Sequence, residues 1–192
     1  MERHVKGSLF VDYVRMLRSH KDVNWSRYLQ PVDVEYLHIR ILPDGWYPME
    51  TFSRFGLAIL DNIAGGDPFL ARGWGRMSAD QLAETHGAQL VVPGDPRESL
   101  MRLLVLRNTL FDFDALAIPQ LTDRHASVQA TYEMSARAEQ AACFQTIGFF
   151  GRLAELAGGR GVVTQLKSRA WEGDAVTEFT VDWQPPNDTT PR

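Results

Sequence analysis

The residue types that most often carry chemistry are few and widely spaced in this chain. Its five histidines form no HxH or HxxxH pair, so a zinc site would require ligands from distant segments. His86, near the end of a predicted helix, is the one histidine that we consider as an axial haem ligand. A histidine stabilised by the helix dipole is the simpler interpretation of that position. The histidines are His4, His20, His38, His86 and His125.

The single cysteine, Cys143, excludes an intramolecular disulfide and a cysteine-rich metal site. It lies on the apolar stripe of a predicted helix, where a cysteine usually packs as a small hydrophobe rather than reacting as a thiolate. No serine lies in a G-x-S-x-G context, and Asp112 with Asp114 is expected to form a solvated edge near a helix end. The sequence therefore predicts a protein that is not an enzyme and holds no metal or cofactor.

Aromatic side chains give the strongest indication of a binding site. Two aromatic segments, around residues 46–52 and at residues 149–150, supply the candidate pocket residues. Two adjacent residues of a helix point about 100° apart, so at least one of the adjacent phenylalanines faces away from the main apolar stripe. The predicted lining of an apolar pocket is Trp46, Tyr47, Phe52, Phe149 and Phe150.

Two glycines flank the second aromatic segment inside the same predicted helix. A glycine within a helix costs on the order of 1 kcal/mol relative to alanine, so we expect another helix, a backbone or a ligand to approach closely there. A subunit interface is one form of such packing. Gly148 and Gly151 are therefore candidate contacts of a homodimer.

The N-terminal half of the chain has the pattern of helices. Apolar residues recur every three or four positions, and aspartates that precede prolines mark helix starts. Ser78 and Gln81 have the spacing of a capping box and indicate one more start. The predicted helices cover residues 8–18, 25–29, 32–37 and 49–63, with further starts at Asp67 and Asp95 and a turn over 43–48.

The C-terminal half has the pattern of strands around one long helix. Residues 127–134 alternate between apolar and polar side chains, as in a half-buried strand. A helix over 138–157 follows, and strands over 162–170 and 176–183 are expected to pair as an antiparallel hairpin. The predicted fold class is α+β, an N-terminal helical layer followed by a small antiparallel sheet with one long packing helix. We expect one domain over residues 5–183 and a disordered tail over 184–192.

The composition argues against two classes of partner. The net charge is −4, and no basic run is present, whereas a nucleic-acid phosphate backbone attracts a concentrated excess of lysine and arginine. No stretch approaches the roughly 18 apolar residues of a membrane span, and the N-terminus lacks the apolar core of a secretory signal. We therefore expect a cytoplasmic protein that does not bind nucleic acid and does not span a membrane.

Several motifs resemble a known superfamily. Residues 141–150 (AACFQTIGFF), residues 155–159 (ELAGG) and the two strands around Gly173-Asp174 resemble the 4-vinyl reductase-like domain. Residues 6–10, 46–48 and 66–68 resemble a paralogous family abundant in myxobacteria. The resemblance covers about residues 5–183. It implies the fold shared by haem-NO-binding sensors, 4-vinyl reductase-like domains and subunits of the TRAPP vesicle-tethering complex, a group described as ligand-binding and often dimeric.

Two departures from this group bear on function. Its members commonly have a cysteine-bearing pattern in the last hairpin, and residues 168–179 contain no cysteine. Haem-binding members carry a Tyr-x-Ser-x-Arg motif, whereas residues 132–137 read YEMSAR, one residue longer. On an alternating strand this insertion moves the serine to the opposite face, which disfavours haem.

Together these observations give one leading hypothesis and two alternatives. The leading hypothesis is a non-enzymatic sensory or adaptor domain that binds a small hydrophobic ligand or a protein partner. The first alternative is a structural homodimeric interaction module without a ligand. The second alternative is a haem-based gas sensor, with His86 as the axial ligand.

Overall fold

A computed structural model of the protein describes residues 2–185, so almost all of the predicted tail lies outside the described residues. Short 3-10 helices cover Trp25–Arg27, Gly87–Gln89 and Ala170–Glu172. The α-helices are α1 (Gly7–Ser19), α2 (Pro31–Glu35), α3 (Met49–Asn62), α4 (Leu70–His86), α5 (Pro96–Arg107) and α6 (Ala136–Leu156). The strands are β1 (His4–Lys6), β2 (Trp46–Pro48), β3 (Leu116–Leu121), β4 (His125–Ala130), β5 (Arg160–Ser168) and β6 (Thr177–Gln184).

The predicted α+β class is confirmed. Strands β3 to β6 form one antiparallel sheet in the order β3-β4-β6-β5, and β1 pairs with β2 in a separate two-stranded sheet. The predicted hairpin is the β5–β6 pair, in which Leu166 lies opposite Phe179. The long helix α6 packs on this sheet, and the rings of Phe150 and Phe179 meet edge to face at 5.6 Å. Both side chains are fully buried, so one part of the hydrophobic core lies between α6 and the sheet, and it continues into the N-terminal helices through residues such as Phe10 and Phe55.

Helix α4 covers the other side of α6, and two glycines allow the two backbones to touch. A Cβ atom on Gly75 would overlap the carbonyl oxygen of Gln145, and a Cβ atom on Gly148 would overlap the carbonyl oxygen of Arg72. Any other residue at these two positions would push the helices apart. The close approach expected at Gly148 is therefore an approach of α4 within the same chain.

Ion pairs at the surface connect the same two helices. The guanidinium of Arg76 donates to both carboxylate oxygens of Glu155, at 3.0 and 2.7 Å. Arg152 reaches back from α6 to Asp80 on α4 at 2.8 Å. Hydrogen bonds from Arg76 lower the pKa of Glu155 below its ordinary value, and those from Arg152 lower it further.

Several elements differ from the sequence-based expectation. Ser78 and Gln81 lie inside the single helix α4, so the helix start predicted there is wrong. The residues expected to form a turn include β2, and β3 was not predicted. Strand β4 ends at Ala130, so Tyr132 and Met134 belong to the loop that leads into α6. The start at Asp95 is correct, because its carboxylate accepts the Glu98 backbone N–H at 2.9 Å.

No helix within residues 2–185 has the length and apolar character needed to cross a membrane.

Candidate functional site

A partly enclosed apolar cavity of about 140 Å³ lies between the N-terminal helices and α6. An engineered cavity of about 150 Å³ in another protein binds benzene, so a molecule of that size class fits without rearrangement. Side chains from α1, α3, α4, α5 and α6 line it, together with residues from the loops next to β3 and β4. The lining includes Leu9, Tyr13, Phe52, Leu57, Trp74, Leu82, Leu103, Phe111, Met134, Ala142, Gln145 and Phe149.

Helices α1 and α3 meet at the cavity through stacked aromatic rings. The ring of Tyr13 lies parallel to that of Phe52, with centroids 4.3 Å apart. Gly56, one turn further along α3, leaves room for this ring, because a Cβ atom there would lie 3.3 Å from Tyr13 Cε2. The apolar spacing of the two helices brings these residues to one face, and the glycine lets the tyrosine turn inward.

Two pairs of polar side chains in the cavity wall are hydrogen bonded. The Tyr13 hydroxyl donates to Gln145 Oε1 at 2.6 Å. The Tyr132 hydroxyl lies 2.6 Å from Thr146 Oγ1, and the Thr146 hydroxyl donates to the carbonyl of Ala142 at 2.8 Å. Burial raises the pKa of both tyrosines, so both are neutral phenols. These three hydroxyl groups are therefore uncharged and hydrogen bonded where they meet the cavity.

A buried carboxylate holds the loop that carries two lining residues. Glu139 is 4% exposed and accepts backbone N–H groups from Tyr132 at 3.1 Å and Met134 at 2.9 Å. Because these donors belong to the loop between β4 and α6, Glu139 fixes that loop against the helix. It thereby sets the positions of the Tyr132 and Met134 side chains at the cavity.

Two charged residues also line the cavity. Asp12 is partly exposed and lies 3.4 Å from Arg15, and burial raises the pKa of its carboxyl group. Arg107, at the end of α5, is less exposed and contacts Asp114 at 3.4 Å. Arg107 also lines a second, neighbouring cavity of about 340 Å³, and Leu116 is the other residue shared by the two.

The structure brings together three of the five residues predicted to line a pocket. Phe52, Phe149 and Phe150 line the cavity, whereas Trp46 and Tyr47 do not. Tyr47 instead stacks on Phe10 at 4.5 Å. Trp46 lies on β2 with the Lys6 ammonium 4.6 Å from its ring centroid. Ligand binding by the three phenylalanines stays a prediction.

The two glycines predicted at a dimer interface are covered by other elements of the same chain. Gly148 lies against the backbone of α4, and a Cβ atom on Gly151 would lie 3.3 Å from the Thr164 methyl group on β5. A homodimer through α6 stays a prediction, and it requires contacts from residues other than these two.

Sequence reasoning missed several lining residues. Tyr13 had a visible signal, since it falls on the apolar face of α1 together with Leu9. Gln145 had another, because it is a polar residue in the middle of an apolar stretch of α6. Trp74 gave no signal of its own, because its place at the cavity depends on how α4 crosses α6.

The cavity lining contains neither histidine nor cysteine. His86 lies at the end of α4 and is not among the lining residues. Residues 2–185 contain no group of three histidine, cysteine or acidic side chains arranged to hold a metal ion. Cys143 is buried in the core, and burial raises the pKa of its thiol to about 12, partly offset by a hydrogen bond with Thr177.

The fold is that of H-NOX proteins. The chain is similar to an H-NOX protein from S. oneidensis in its Fe(II) state, with TM-score 0.67, 11% identity and coverage of 95% of this chain and 98% of that one. An Fe(II) unliganded H-NOX protein from K. algicida gives TM-score 0.64 at 12% identity, covering 93% and 96%. The S. oneidensis protein in its Fe(II)NO state gives TM-score 0.62 at 12% identity, covering 93% of this chain and 99% of that one. At this identity the similarity shows a shared fold.

Neither a protein-family model nor the sequence of a curated protein matches the chain. The structural similarity confirms the haem-NO-binding part of the resemblance at the level of the fold. Membership of the 4-vinyl reductase-like, TRAPP-subunit or myxobacterial groups stays a prediction.

Proposed function

We propose that this domain is a non-enzymatic sensor that binds a small hydrophobic molecule in the cavity between its N-terminal helices and α6. The observation that carries the proposal is the chemistry of the wall. Its aromatic and aliphatic side chains surround most of the space, and the Tyr13, Tyr132 and Thr146 hydroxyl groups are already hydrogen bonded. An apolar guest therefore enters without leaving any of these polar groups unpaired.

The position of the cavity supports a sensing role. Residues of α4 and α6 line it, and the same two helices are in backbone contact and joined by ion pairs. A guest that changes the spacing of these helices also changes the packing of α6 against the sheet. Differential binding to the two arrangements is the physical basis of such a response.

Haem-based gas sensing is the second candidate, and the fold comparisons favour it over an unspecified ligand. The similar structures are described as H-NOX proteins in Fe(II) and Fe(II)NO states, and one study of that family concerns heme distortion. None of these descriptions names a catalytic activity, which agrees with a sensor rather than an enzyme.

The side chains around the cavity do not fit haem iron well. Iron ligands in haem proteins are usually histidine, cysteine, methionine or tyrosinate. The lining offers only Tyr13, Tyr132, Met49 and Met134. Both tyrosines are hydrogen bonded, and burial raises their pKa, which opposes the tyrosinate form. A tetrapyrrole is also several times larger than benzene, so the walls would have to move apart. These points favour the first candidate.

Native mass spectrometry of gently purified protein tests the proposal. We expect a co-purifying small molecule or, after its removal, binding of a hydrophobic dye. Ala142→Phe fills the cavity and should abolish both, whereas Ala136→Phe, on the exposed first turn of the same helix, should abolish neither. A wild-type protein with no bound mass and no dye binding contradicts the proposal.

Absorbance spectroscopy separates the two candidates. Protein expressed with a supply of haem precursor should show no Soret band. A stoichiometric Soret band that disappears in Ala142→Phe would instead establish the haem-based alternative.

A further inference from the structure

The two cavities on this face of the protein adjoin at one cationic side chain. The first cavity is apolar, whereas the second is lined partly by Gln129, Thr131 and Asp114. Arg107 and Leu116 belong to both. A molecule that occupied both spaces would therefore place an apolar body in the first and pass the guanidinium of Arg107 on its way into the second.

The guanidinium of Arg107 has few partners among the described residues. Its hydrogen bonds go to Asp114 and to the side chain of Asn108, and both are long, at 3.4 Å. The Arg107 side chain is 22% exposed, whereas Asp114 is 95% exposed. Such an exposed carboxylate is largely screened by water and neutralises the cation weakly. The fork of N–H donors on an arginine matches the geometry of a carboxylate or phosphate.

Asp12 is the competing charge in the first cavity, and it favours a cationic guest. Its side chain is 40% exposed and has Arg15 beside it at 3.4 Å. The Arg107 side chain is the less exposed of the two and stands where the apolar space meets a polar one. A head group at Arg107 can extend into the polar space, whereas Asp12 lines the apolar space alone, so the position of the arginine favours an anion.

We infer that the ligand of this domain is an amphipathic anion, with its apolar part in the first cavity and its anionic head on Arg107 at the entrance to the second. This inference rests on the proposed function and narrows it to a class of ligand. It assigns Arg107 as the residue that selects the head group.

Three probes with the same apolar chain test the head group by isothermal titration calorimetry: octanoate, octanol and octylamine. Wild-type protein should bind octanoate most tightly. Arg107→Gln should weaken the affinity for octanoate at least about tenfold and leave the affinity for octanol unchanged, because only a charge-assisted hydrogen bond is lost. Arg97→Gln, the same change at a more exposed position of α5, should alter neither affinity.

A measurement on unmodified protein guards against misfolding of the variant. Added salt should weaken the binding of octanoate and leave the binding of octanol unchanged. One contrary result is that octanol binds as tightly as octanoate, with neither salt nor Arg107→Gln changing either affinity. In that case the proposed apolar pocket is supported and the inference of an anionic head group is wrong. If octylamine binds most tightly and Asp12→Asn removes that binding, the ligand is a cation. If none of the three probes binds, both this inference and the proposed function fail.

Discussion

At the scale of single residues, the buried carboxylate of Glu139 positions part of the cavity wall. It satisfies two backbone donors of the loop that leads into α6, and that loop carries two residues of the cavity wall. Without the carboxylate these N–H groups would be left without a partner in a largely water-free environment. The loop would then be held by Arg3, whose guanidinium donates to the carbonyls of Tyr132 and Glu133 at 2.8 and 3.0 Å.

Glu139→Ala should lower the free energy of unfolding by about 2–3 kcal/mol, because two backbone donors lose their acceptor. Urea denaturation measures this change. Glu84→Ala, at an exposed position of α4, serves as the control and should change stability by less than about 0.5 kcal/mol. Equal effects of the two substitutions would show that Glu139 does not hold the loop.

The residues of the site were only partly predictable from the sequence. Phe149 and Phe150 were identified because two adjacent aromatics on one helix cannot both face the same layer. Trp46 and Tyr47 were assigned to the pocket because they are aromatic and close in sequence to Phe52. Their strand pairs with β1, and this pairing turns them toward Phe10 and Lys6 instead. Such a pairing between residues forty positions apart leaves no local signal.

At the scale of elements, the crossing of α4 and α6 depends on glycines that have no room for a side chain. Gly148→Ala should destabilise the protein by about 1–3 kcal/mol, because the added methyl group would meet the α4 backbone, which cannot move aside as a side chain can. Thermal or urea unfolding gives the measurement.

Gly73→Ala is the matched comparison on α4, where a Cβ atom would meet nothing within 4 Å. Since alanine favours the helix over glycine, this variant should be more stable than wild type by about 0.5–1 kcal/mol. Effects of the same sign for the two alanine substitutions would contradict the proposed role of the crossing.

The elements with strong periodicity were predictable, and the short ones were not. Helices α1, α3 and α6 and the β5–β6 hairpin have long apolar patterns that survive in the structure. Strands β1 and β2 have three residues each, too few to show an alternation. The interior of α4 contains a capping-box spacing by chance. The surrounding helix overrides it because the buried face of α4, formed by Ala71, Gly75 and Ala79, continues into this spacing along α6.

At the scale of the whole molecule, stability should depend on pH through the ion pairs that join the two central helices. The pKa of Glu155 is lowered by hydrogen bonds from Arg76, relative to an ordinary value of 4.5. A carboxyl group with a lowered folded pKa stabilises the fold above its unfolded pKa, and this contribution is lost as the pH falls through the folded value. Glu155→Gln should therefore flatten the decrease of unfolding free energy below about pH 5.

Unfolding in urea at a series of pH values tests this expectation, with Glu84→Gln as the exposed control. The side chains of Arg76 and Glu155 are 42% and 31% exposed, so solvent screening reduces the effect. A wild-type acid slope retained in Glu155→Gln would show that the pair does not contribute.

The α+β class and the likeness to the haem-NO-binding fold were predictable from the sequence, whereas the position and extent of the cavity were predictable only in part. A cavity exists where five helices converge without filling the space, and no single helix records that shape in its own sequence. The charges at its edge were also hidden, since Arg107 is the last residue of α5 and has the appearance of an ordinary C-terminal cation.

The burial of Cys143 has a practical consequence for spectroscopy. It is the only thiol of the chain, and at neutral pH it is protonated and enclosed by the core. Maleimides and disulfide reagents attack the thiolate, so the native protein should remain unlabelled until it is denatured. A cysteine introduced at the exposed Met77 or Val105 would then be the sole labelling position. Fluorophores or spin labels can thus report on helix movement without any replacement of the natural residue.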